Sequence, residues 1–139
     1  MISKFALVLA GVVLASPVLA QDAAKGEKEF NKCKACHMIT AADGTAIIKG
    51  GKVGPNLYGV IGRAAASYPE FKYSESLAAA GAKGLVWDEA SFLSYVKDPS
   101  GFLKEYLGDP KAKGAMAFKL AKGGEDVHAY LVSVAPATN

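Results

Sequence analysis

Cysteine and histidine are scarce in this chain. Its 139 residues hold two of each: Cys33, Cys36, His37 and His128. Two thiols cannot build a disulfide framework, and a tetrahedral zinc site would have to recruit both histidines as well. Charge of one sign is also lacking, with 16 Lys and Arg against 13 Asp and Glu. A surplus that small gives no ground for a nucleic-acid partner. The longest apolar run, Phe5 to Ala15, is too short to span a bilayer, and no later one is longer. Residues 21–139 show no repeat, no linker, no low-complexity block and no run that alternates as a sheet strand does.

The few reactive residues are clustered. Cys33, Lys34, Ala35, Cys36 and His37 form a C-x-x-C-H run, the attachment signature of a c-type haem. Each thiol can add to one vinyl group of the macrocycle, and the adjoining imidazole can ligate iron. C-x-x-C alone also serves as a dithiol redox pair, but such a pair follows a buried strand and opens a helix in a βαβ unit. Here it closes a short amphipathic stretch instead.

Residues 1–20 carry a second, independent signal. Lys4 is followed by the apolar run and by Val18-Leu19-Ala20 before Gln21, which predicts a cleaved secretory signal peptide. Residues 21–139 would then be one exported domain, placed in the periplasm. Attachment of c-type haem also takes place outside the cytoplasm in bacteria, so the two signals agree.

Hydrophobic spacing in that domain is helical. Ala23, Gly26, Phe30 and Cys33 recur at three- and four-residue steps, as do Val127, Tyr130, Leu131 and Val134 after Gly123-Gly124. Asp88 can cap a helix carrying Phe92, Tyr95 and Val96 that Pro99 ends. Short helices are expected from Ser74 to Gly81 and from Pro99 towards Tyr106, with a glycine-rich loop over 41–54. The fold class is a small all-α domain. Gly26 costs about 1 kcal/mol relative to alanine inside a helix; a close helix crossing with Tyr130 would account for it.

If His37 ligates iron on one side, a second ligand makes an electron carrier, and a vacant position makes a gas-binding or peroxidatic protein. Met38 is adjacent to His37 and cannot reach the other side. Met116 is the remaining methionine of the mature chain. His128 is its rival, although its place one step off the apolar stripe predicts that it faces solvent. All three outcomes remain open at this level.

Over essentially the whole mature chain the sequence resembles the class I cytochromes c, and among them the bacterial cytochromes c2 and their respiratory relatives. The resemblance rests on Gly26 and Phe30, Cys33 to His37, Gly54-Pro55-Asn56-Leu57-Tyr58-Gly59 and Gly62-Arg63. Further along it rests on Phe71-Lys72-Tyr73, Trp87, Tyr95-Val96-Lys97-Asp98-Pro99, Met116-Ala117-Phe118 and Ala129-Tyr130-Leu131.

The resemblance implies helices wrapped around one covalently bound haem c, held by Cys33 and Cys36 and ligated by His37 and Met116. It implies that Pro55 accepts from the second His37 nitrogen and that Arg63, Tyr73 and Trp87 surround a propionate. Tyr95 would hydrogen-bond to Met116, and Phe118 would close the crevice. The expected function is one-electron transfer without catalysis, from a cytochrome bc complex to a photosynthetic reaction centre or a terminal oxidase. Docking would use Lys32, Lys34, Lys97, Lys111, Lys113 and Lys119, and the usual form is a monomer. Gly114, Ala115 and Leu77 depart from the polar residues common in relatives.

Overall fold

Aspartate and serine side chains start four of the five helices in the computed structural model, which describes residues 21–135. The Asp22 carboxylate accepts from the backbone N–H groups of Ala24 and Lys25 and opens α1, Ala23–Glu29, which runs on as a 3-10 turn over Phe30–Lys32. Ser74 caps α2, Glu75–Ala82, and Asp88 caps α3, Glu89–Lys97. Asp98 ends α3 and caps α4, Pro99–Leu107, with Pro99 in the first turn, where its missing N–H costs nothing. The last helix, α5, spans Gly124–Val134 and carries Glu125 and Asp126 in its first turn, complementing the helix dipole. The segment 1–20, with its expected signal peptide, lies outside the described residues.

The α1–α5 crossing is the most extensive helix contact. Gly26 makes it possible. A Cβ there would lie 2.5 Å from the carbonyl carbon of Asp126 and 2.8 Å from Tyr130 Cβ. Phe30, 1% exposed, then meets the Tyr130 ring at 5.8 Å between centroids. Burying such a side chain fully contributes about 1.5–3 kcal/mol. Helix α5 also packs on α3, and α4 packs on α2 and α3. Phe30, Ile39, Leu103, Val127 and Leu131 anchor one continuous core.

Two expectations are corrected. Residues 39–48 contain a two-stranded antiparallel hairpin, β1 at Ile39–Thr40 and β2 at Ala46–Ile48, with Ile39 opposite Ile48 and Thr40 opposite Ala46. Strands of two and three residues are too short to show alternation in sequence. His128 does not face solvent: it is 8% exposed, its ring tilted against Phe92 at 5.9 Å between centroids, with Nδ1 3.4 Å from Gln21 Oε1. Because α5 is covered by both α1 and α3, its buried arc is wider than one apolar stripe.

Candidate haem site

The C-x-x-C-H motif lies just after the 3-10 turn, where successive backbone bonds fold it tightly. His37 N–H donates to the Cys33 carbonyl at 2.9 Å, and Cys36 N–H to the same oxygen at 3.1 Å. The glycine-rich run beyond the hairpin then lies flat against it. Gly51 N–H donates to Lys34 O and Gly54 N–H to Cys36 O. There is no room for side chains at this crossing. A Cβ on Gly50 would sit 2.6 Å from the His37 carbonyl carbon, and one on Gly54 would lie 2.6 Å from His37 Nδ1 and 2.8 Å from Nε2.

Pro55 follows, and its carbonyl oxygen lies 2.8 Å from His37 Nδ1. A carbonyl only accepts, so Nδ1 carries the proton and Nε2 keeps its lone pair. Burial holds the imidazole below its ordinary value, against the opposing pull of the Pro55 hydrogen bond, so the ring is neutral at pH 7. The Pro55 turn is fixed in turn by buried Asn56, whose amide donates to Thr40 O and whose oxygen accepts from Thr40 N–H and Tyr58 N–H.

Cys33, Cys36 and His37 open onto a cavity of about 400 Å³, and every other site residue expected from the sequence lines it too: Pro55, Arg63, Tyr73, Trp87, Tyr95, Met116 and Phe118. His128 and Met38 are not among its lining residues. The two cysteines are unbridged, and burial pushes the Cys33 thiol up to about 11. Before any attachment that environment is the opposite of the low-pKa thiolate of a dithiol redox site.

Arg63 enters from the turn after Val60. It donates to Tyr58 O and Asn56 O, both at 3.2 Å, and its Cζ lies 5.3 Å from the Tyr68 ring centroid. The Tyr73 hydroxyl accepts from Tyr68 N–H at 3.2 Å, leaving its own proton free to donate. Trp87 is locked to Arg63 through its backbone, Trp87 N–H donating to Arg63 O at 3.0 Å, and its ring lies 4.8 Å from Tyr95. Burial pushes the Tyr95 hydroxyl up to about 12. Phe118 is 44% exposed at the cavity mouth, as is Val53 at 78%.

These residues fit a haem. The wall is mostly aliphatic and aromatic, the donors are two thiols, a neutral imidazole and a thioether, and the chain omits a Cβ where the imidazole lies. Among the described residues no group of three or more His, Cys, Asp or Glu could hold a bare metal ion. The roles of Gly50, Gly51, Asn56 and Tyr68 were not read from sequence. The G-G-x-x-G spacing at 50–54 was the available signal for the first two.

A small helical domain closed round one apolar cleft, with C-x-x-C-H on its wall, is the architecture of a haem-bearing electron carrier. No family model matches the sequence. The chain is 65% identical over 133 residues to cytochrome c2 of Rhodobacter capsulatus, covering 96% of this chain and 97% of that protein. The solved structure of the Rhodobacter capsulatus cytochrome c2 superposes with a TM-score of 0.79 at 69% identity, over 81% of this chain and 97% of that one. Ferric cytochrome c-550 from Paracoccus versutus gives 0.82 at 55%, over 84% and 100%. The chain belongs to the cytochrome c2 family. With that membership come one covalently attached haem c per chain and the role of an electron carrier, not an enzyme. No described helix is long and apolar enough to cross a membrane.

Proposed function

We propose that residues 21–139 are a periplasmic one-electron carrier released from the signal peptide 1–20, in which Cys33 and Cys36 would hold the haem covalently and His37 and Met116 would ligate its iron. The observation that carries this reading is the convergence of His37, Met116 and both thiols on one cavity. When bound, the haem supplies one iron centre that takes up and returns a single electron.

The protein's part is to hold and insulate that centre. Pro55 fixes the imidazole through Nδ1, leaving Nε2 as donor and raising its basicity. The thioether of Met116 and the apolar wall disfavour added charge, which favours the reduced state and raises the potential. Arg63, Tyr73 and Trp87 offer positive charge and donors to a propionate that would otherwise be buried unpaired. Tyr95 lines the same cavity as Met116 and would donate to its sulfur, and Phe118 screens the mouth.

Electrons would arrive from a cytochrome bc complex and leave to a photosynthetic reaction centre or a terminal oxidase. Lys34, Lys97, Lys111 and Lys113 are exposed and suited to steering onto acidic partners. Lys32 and Lys119 are exposed as well but already pair with Glu29 at 2.6 Å and Asp98 at 3.1 Å. Monomeric protein is expected in solution. Stopped-flow mixing with a purified cytochrome bc complex, then with each acceptor, tests the reading. Rapid reduction followed by oxidation by one acceptor supports it, and failure of the bc complex to reduce the protein contradicts it.

A further inference from the structure

The segment Gly114-Ala115-Met116-Ala117 carries no polar side chain, so it cannot anchor itself through side-chain hydrogen bonds. Its backbone must be held from outside. Two serine hydroxyls do this. Lys113 N–H donates to Ser76 Oγ at 3.0 Å, and Gly114 N–H donates to Ser100 Oγ at 3.1 Å. Ser76 stands on α2 and Ser100 on α4, so two consecutive amides just ahead of Met116 are gripped by two different helices.

The far side of the segment is fixed at Leu120, whose N–H donates to Val96 O of α3 at 2.8 Å and whose side chain is 5% exposed. Between these points the chain is exposed at Ala115, Ala117, Phe118 and Lys119. The Lys119–Asp98 pair at 3.1 Å is half-exposed on both sides and adds little.

We infer that Ser76 and Ser100 are positioning residues for Met116, a two-point clamp that sets where the thioether sits by holding Lys113 and Gly114. The inference rests on the proposed role of Met116 as a residue that would ligate the haem iron. Each hydroxyl governs one amide, which makes the two contributions separable.

The test uses the full holoprotein and Ser76→Ala, Ser100→Ala and the double variant. Amide exchange of the reduced protein should rise roughly fivefold or more at Lys113 in the first and at Gly114 in the second, the loss of about one net hydrogen bond. In the oxidised protein the weak methionine-to-iron absorption band should be lost at lower guanidinium than in the parent. Helical circular dichroism should keep its midpoint, and Ser100→Thr should restore the band. Unchanged exchange at both amides, or loss of the band and the helices together by equal amounts, would overturn the clamp. A parent protein without the band would overturn the ligand role of Met116, and with it the positioning of a ligand by the serines. Exchange in that case would still report whether the two hydroxyls hold the segment.

Discussion

Gly54→Ala adds a single methyl group at a place where the chain has no space for one. The new Cβ would lie 2.6 Å from His37 Nδ1 and 2.8 Å from Nε2, against an ordinary contact of about 3.5 Å. Either the imidazole retreats by roughly 1 Å or the backbone of the Gly50–Gly54 run lifts off the motif. Both break the 2.8 Å hydrogen bond between His37 Nδ1 and Pro55 O. Overpacking of this kind costs about 1–3 kcal/mol, and a buried donor left unmade costs about 1–3 kcal/mol more. The expected loss is about 2–6 kcal/mol in guanidinium denaturation of the holoprotein, with a perturbed visible spectrum. Gly114→Ala is the matched control. Its Cβ would meet Pro99 Cβ at 3.4 Å and Leu103 Cδ1 at 3.5 Å, ordinary contacts, so its stability should lie within about 1 kcal/mol of the parent. If the two variants unfold together, the steric reasoning at His37 is wrong.

Other outcomes follow from the same geometry. Gly26→Ala should destabilise despite its better helix propensity, by about 1–3 kcal/mol, because the new Cβ meets Asp126 and Tyr130; a gain in midpoint would mean that α1 and α5 do not cross closely. The carboxyls of Asp22 and Asp88 are held below the ordinary value of 3.8 chiefly by backbone N–H bonds, and that of Asp98 first by Lys119. With folded values depressed, their stabilisation is complete above pH 3.8 and is lost as pH falls through the folded values. Asp88→Asn, which keeps the cap without the charge, should therefore flatten the acid limb of a stability–pH curve, and an unchanged limb would count against the assignment. Association with a redox partner should slow as salt rises past the roughly 0.1 M at which screening acts over about 10 Å. Neutralising Lys34 or Lys97 should slow it more than neutralising Lys32 or Lys119, which are already paired; equal effects would show that pairing with Glu29 and Asp98 does not remove those two charges from the docking face.

Much of this was legible in the residues because each helix start carries its own chemistry. Asp88 and Ser74 cap where capping side chains belong, and the Pro99 that ends α3 also opens α4. Gly26 pointed to a crossing with Tyr130 because glycine mid-helix is costly without such a reason. The C-x-x-C-H run and the later motifs named ten residues that the fold brings to one cavity although they span positions 33 to 118. What stayed hidden depends on backbone paths between elements. Nothing local says that Gly50 and Gly51 lie beneath residues 34–37, or that Asn56 ties the Pro55 turn to the hairpin. His128 escapes the sequence for the same reason: the spacing shows one apolar stripe, while two helices cover α5.

The most direct measurement is the visible spectrum of the oxidised holoprotein at neutral pH, parent beside Met116→Ala. The account predicts a weak methionine-to-iron band in the parent that disappears in the variant, with the covalent haem retained. A parent lacking that band, or a variant keeping it, would contradict ligation by Met116.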